Sequence, residues 1–119
     1  MTFNVEIVLK GRDFAVTEAV SVVHGEPASW DDAAVRDVLV EILRAIGRAE
    51  SPTAGDRTII LQGFSWIVEP VDGKVVIALE IPMGAAVAGP FTADQARLDS
   101  TISRVLRNER QMMAPSTVH

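Results

Sequence analysis

Cysteine and tyrosine are absent from this chain, and aromatic residues make up only 5% of it. Without thiols, disulfides and thiolate zinc sites are excluded. No apolar run approaches the roughly 20 residues of a membrane span, so no membrane partner is expected. Met1 to Lys10 alternates polar and apolar residues and has no charged-then-apolar leader. No signal peptide is therefore expected, and a bacterial cytoplasm is the default location. Positive charge is scarce too, with 11 Lys and Arg against 16 Asp and Glu, a net charge of −5 and a pI near 4.9. Nucleic-acid binders usually carry a basic field, so this acidic protein is not expected to take nucleic acid as a partner. The abundance of Arg, Ala and Val points to a GC-rich genome more than to a function.

What remains is an ordinary globular composition, 48% apolar and 23% charged over 119 residues. That fits one domain, placed at 1–111, with a flexible C-terminal tail at 112–119. Phe3, Val5, Ile7 and Leu9 alternate with Asn4, Glu6, Val8 and Lys10, the period of a half-buried strand. Gly11-Arg12-Asp13 reads as a hairpin turn. Phe14 to Val23 reads as a second strand, with Glu18 interrupting its apolar face at a bulge or a sheet edge. His24 to Ala28 is a loop. A helix is predicted from Ser29, its cap, with Asp32 at the third helical position and Gly47 as the stop. Its stripe is Val35, Val38, Leu39, Ile42, Leu43 and Ile46.

Glu50 to Arg57 reads as a linker and Thr58 to Glu69 as a long strand with two apolar faces. Pro70 to Gly73 is a turn, and Lys74 to Ile81 is a strand ended by Pro82. Met83 to Pro90 is expected to be an apolar loop. Thr92 is expected to cap a second helix, with Gln95 three residues on and Leu98, Ile102, Val105 and Leu106 on its buried stripe.

The two helix segments match at an offset of 63, pairing Pro27, Asp31, Ala33, Leu43 and Arg44 with Pro90, Asp94, Ala96, Leu106 and Arg107. Both an ancestral duplication and shared helix grammar account for this. The expected fold is α+β, a duplicated ββα-ββα. It has a four-stranded, mostly antiparallel sheet with two helices on one face, its halves at 1–49 and 58–111. The second sheet face, with Ile59, Leu61 and Ile67 or their alternates, would be bare in a monomer. Large bare apolar faces are uncommon in soluble monomers, so a homodimer is expected.

Chemistry is sparser. His24 lies in sequence near Glu26, Trp30, Asp31 and Asp32, and a His beside a carboxylate can act as a general base. An exposed, idle His is the more ordinary reading, and first-turn acids favour a helix N-terminus. Glu18 and Glu80 sit among apolar strand residues, as buried acid–base candidates or as edge residues facing water. Trp30 and Trp66 either belong to the core or line a pocket, with Met83 a further ligand-binding candidate. Met83 to Pro90 lacks the Lys-Ser/Thr pair and the glycine spacing of phosphate loops. Arg97, Arg104, Arg107 and Arg110 form a partial basic stripe that either holds an anion or an acidic partner, or complements the helix C-terminus.

No Gly-x-Ser-x-Gly, reactive thiol or metal-ligand spacing occurs, so no cofactor and no metal are expected. The first expectation is thus a non-enzymatic, self-associating interaction module that binds a protein or small molecule. The alternative is a small enzyme or ligand-binding protein with its site between the 24–30 and 83–91 loops, where weak catalytic candidates are His24, Glu26, Asp31 and Glu80.

Overall fold

The computed structural model describes residues 1–51, 59 and 61–113. Strands β1 (Thr2–Leu9) and β2 (Ala15–Ser21) are followed by a 3-10 turn at Pro27–Ser29 and helix α1 (Asp32–Glu50). Strands β3 (Ser65–Val71), β4 (Lys74–Ile81) and β5 (Gly84–Phe91) then lead into helix α2 (Gln95–Met113). The five strands form one antiparallel sheet in the order β2-β1-β5-β4-β3. The expected α+β class therefore holds, but the element order is ββαβββα, and the sheet has five strands where four were expected.

The fifth strand is the segment expected to be a loop. Gly84-Ala85-Ala86-Val87-Ala88-Gly89-Pro90-Phe91 is poor in the β-branched and aromatic residues that mark strands. It is nevertheless the central strand, hydrogen-bonded to β1 on one side and β4 on the other. Its small side chains suit that place. A Cβ on Gly84 would overlap the Val8 carbonyl oxygen of β1. Opposite the far end of β5, Val75 pairs with Phe91 and Ile77 with Ala88, so β5 carries one extra residue there. This bulge reverses the inside–outside alternation. Ala86 and Ala88 face the helices before it, and Phe91 faces them after it, all three buried.

Phe91 organises the core. Its ring meets Phe3 and Trp30 edge-on, with centroids 5.1 Å away in both cases, a preferred aromatic geometry. Around this trio lie Val5, Ile7, Ile77 and Leu79 from the sheet, Val38, Leu39, Ile42 and Ile46 from α1, and Leu98, Ile102 and Val105 from α2. Both helices thus cover one sheet face. The alternation of β1 and β4 is read correctly from sequence, as is the apolar stripe of each helix.

Several boundaries differ. The predicted strand over Thr58–Glu69 begins only at Ser65. Leu61 is buried in the core and Ile59 packs against it, so neither lies on the open sheet face; Ile67 alone of the three does. Thr58 and Ile60 lie outside the described residues, as do most of the Glu50–Arg57 linker and the tail beyond Met113. Helix α2 itself runs to Met113, two residues into the span expected to be tail. Pro70 is accommodated within β3 because that strand is a sheet edge. The hairpin after it turns on Asp72 and Gly73, with φ of 48° and 80°, the two-residue turn that matches strand twist. β2 forms the other edge, which accounts for Glu18 without a bulge.

Helix starts shift as well. Ser29 closes the 3-10 turn and Thr92 precedes α2 without capping it; the caps are Asp31 and Asp94. Asp31 Oδ1 accepts from the Ala34 amide at 2.9 Å, and Asp94 Oδ2 accepts from the Arg97 amide at 2.9 Å. Gly47 does not stop α1, which continues to Glu50.

Asp31→Ala and Asp94→Ala should each lower stability by about 1 kcal/mol in urea melts, whereas Ser29→Ala and Thr92→Ala should stay within about 0.5 kcal/mol of the parent. Phe91→Ala should cost roughly 3–5 kcal/mol in the same melts, because the bulge points this ring into a closed aromatic cluster.

Candidate functional site

The acid–base candidates do not converge. His24 turns to α1, where its Nε2 lies 2.8 Å from Asp37 Oδ2, rather than to Glu26, Asp31 or Asp32. The pair borders a cleft between the end of β2 and α1, walled also by Arg36, Val40 and Glu41. Glu26 is exposed ahead of the 3-10 turn, and Asp31 is occupied as a helix cap. Glu80 projects from the open face of the sheet, with the helices on the opposite side. Glu18 faces α1 and accepts from Arg48 Nε at 2.6 Å. Asp37, in the second turn of α1, escaped the sequence reading because its nearness to His24 arises only when α1 folds back over β2.

The pocket expected between residues 24–30 and 83–91 is filled instead. Trp30 is 2% exposed, packs on Phe91 and donates from Nε1 to the Gly25 carbonyl at 2.9 Å. Residues 84–91 are a strand, which removes one wall of the imagined site. Met83 is exposed at the β4–β5 turn, where its carbonyl accepts from the Lys10 amide.

The arginine stripe of α2 divides into two functions. Arg97 donates from Nη2 to the Trp30 carbonyl at 2.8 Å. Arg104 grips Asp32 of α1 with two parallel bonds, Nε to Oδ2 at 2.8 Å and Nη2 to Oδ1 at 2.6 Å. Arg36 of α1 meets Glu109 of α2 at 3.2 Å. These contacts tie helix to helix. Arg107 and Arg110, by contrast, have no ion-pair partner among the described residues. With Ser103 and Leu106 they form one wall of a cleft of about 290 Å³, whose other wall is Leu61, Phe64 and Trp66. Trp66 is thus half-buried at a cavity, while Trp30 is core.

Among the described residues no three His, Asp or Glu side chains gather into a metal-binding group, and no helix is long and apolar enough to cross a membrane. Compared with known protein families, curated proteins and solved structures, the chain matches none.

The Arg104 hydrogen bonds, reinforced by its charge, hold the Asp32 carboxyl below the usual carboxylate range, and Asp32 in turn raises Arg104. A depressed carboxylate stabilises the fold above its unfolded pKa of about 4, and that contribution disappears as pH falls through the folded value. Arg104→Gln should therefore be slightly less stable than the parent at pH 6. The gap should narrow and then close as pH is taken down below the ordinary carboxylate range in a series of thermal melts. A gap of constant size across the titration would show that Arg104 acts by packing alone.

Proposed function

We propose that this protein is a non-enzymatic interaction module that associates with a second copy of itself through the open face of its sheet. The observation carrying this reading is a continuous apolar strip on the side away from the helices. Cross-strand register sets Val87 between Glu6 and Ala78, and Ala78 beside Ile67. The next row sets Ala85 between Val8 and Glu80. Val8, Val87 and Ile67 are 46%, 43% and 50% exposed, against a core where most side chains are below 5%. A shallow trough of about 320 Å³ lies over Ile67, Ala78, Ala85 and Val87.

Burying such a strip stabilises an assembly by roughly 25 cal/mol for each Å² of apolar surface removed from water. A two-fold contact does this with one self-complementary patch. The small side chains of β5 at the middle of the face permit the close approach of two sheets, typically about 10 Å apart. Glu6 and Glu80 flank β5 on opposite sides, and Glu69 lies farther out on β3. A cytoplasmic location belongs to this reading.

Duplication belongs to it as well. The two helices are 19 residues each, begin 63 positions apart at Asp32 and Gln95, and are both capped by Asp. Pro27 and Pro90 are not equivalent, since one opens the 3-10 turn and the other lies in β5.

Light scattering coupled to size exclusion, at two ionic strengths, should return twice the 12.8 kDa chain mass. Ile67→Glu and Val87→Glu should each shift it to the monomer with an unchanged circular dichroism spectrum. A parent protein that is monomeric at tens of micromolar, or a dimer that survives both substitutions, would refute the interface.

A further inference from the structure

We infer that the cleft between α2 and the segment leading into β3 binds a small organic anion with an apolar, preferably aromatic, body. Three observations on different parts of the chain meet there. The first is charge. Arg107 and Arg110 are exposed and engage no carboxylate among the described residues, although the chain carries net charge −5 and the other two arginines of the stripe are engaged. In an acidic protein, guanidinium groups without a partner concentrate positive potential at one place and attract anions to it. The second is the apolar wall. Phe64 and Trp66 are only half-buried beside these arginines, and Leu61 closes the floor. Aromatic side chains left partly open in a concave site provide stacking surface for a ligand. The third is spacing. Ser103, Leu106, Arg107 and Arg110 fall within two turns on one side of α2, so the hydroxyl and both guanidiniums face the same space.

Cations in the last turn of a helix also complement its dipole, and this accounts for Arg110 but not for Arg107, which lies a turn earlier. It does not account for a cavity of about 290 Å³ walled by two aromatic residues on a different segment. That volume sits at the small end of ligand sites, matching a ligand of about a dozen heavy atoms. The planar forks of Arg suit a carboxylate held by paired N–H donors, with the aromatic body against Trp66 and Phe64. The cleft lies on the helix side of the sheet and the strip proposed for self-association on the other, with Trp66 of β3 bordering both.

The absence of tyrosine makes the test direct. Emission comes only from Trp30, enclosed in the core, and Trp66, at the cleft. The full-length protein is titrated with 4-phenylbutanoate, with the neutral 4-phenylbutan-1-ol, and with inorganic phosphate, following tryptophan fluorescence and, in parallel, calorimetry. The acid should bind saturably and at least about tenfold more tightly than the alcohol, because the alcohol lacks the charge-assisted hydrogen bonds. The double variant Arg107→Gln/Arg110→Gln should lose that preference while its binding of the alcohol stays unchanged. Trp66→Phe should remove the fluorescence response but leave the calorimetric signal. Phosphate at equal concentration should not displace the acid. The proposal is overturned if the parent shows no saturable response, if acid and alcohol bind equally, if the double variant binds the acid as the parent does, if the response persists in Trp66→Phe, or if phosphate competes as well as the acid.

Discussion

The extra residue near the end of β5 is the constraint on which the rest of the architecture hangs. Without the bulge, strict alternation would send Phe91 to the same side as Val87, out of the core. With it, Ala86, Ala88 and Phe91 all point toward the helices. The two alanines leave room for α1 to lie close to the middle of the sheet, and the phenylalanine fills the space beyond them. Phe91 then anchors Trp30, whose ring nitrogen holds the Gly25 carbonyl and whose own carbonyl receives Arg97. One strand irregularity thereby fixes the entry to α1 and connects it to the first turn of α2.

The charged side chains follow from that docking. Once α1 and α2 lie side by side, Asp32 meets Arg104 and Arg36 meets Glu109 across the helix pair. The Asp32–Arg104 pair is largely solvated, and exposed pairs of this kind contribute little to stability, whereas Glu109 is the more buried partner of its pair. Their effect is one of allocation: Arg104 and Arg97 are committed to the fold, and Arg107 and Arg110 are left at the rim of an aromatic cleft. The same one-sided packing leaves the opposite sheet face, with its apolar strip, uncovered by the helices. The two surfaces proposed for recognition, one on each side of the sheet, are thus consequences of a single packing decision.

Legibility in the sequence tracked the strength of the local signal. The strict alternation of Phe3 to Leu9 and of Lys74 to Ile81, and the 3.6-residue spacing from Val35 to Ile46, announce elements because each is half-buried. Trp66 as a core or pocket residue, and the stripe of Arg97, Arg104, Arg107 and Arg110 as a candidate anion holder, could be nominated from residue type. Their meeting could not, because it depends on where α2 lies against the entrance to β3. The pairing of His24 with Asp37 was hidden for the same reason, the two being 13 positions apart on separate elements.

By itself, then, the sequence determined the α+β class, the two amphipathic helices, and the exclusion of thiol chemistry. These are matters of composition and local periodicity, in which neighbours along the chain carry the information. Tertiary structure alone decided that Gly84 to Phe91 is a central strand. A run of glycine, alanine and proline has little intrinsic β preference and acquires its conformation from hydrogen bonds to β1 and β4, which pair residues far apart in the chain. Tertiary structure likewise decided which face of the sheet the helices leave uncovered and which arginines have no ion-pair partner among the described residues. Both depend on the packing of whole helices, and no short stretch of sequence encodes that.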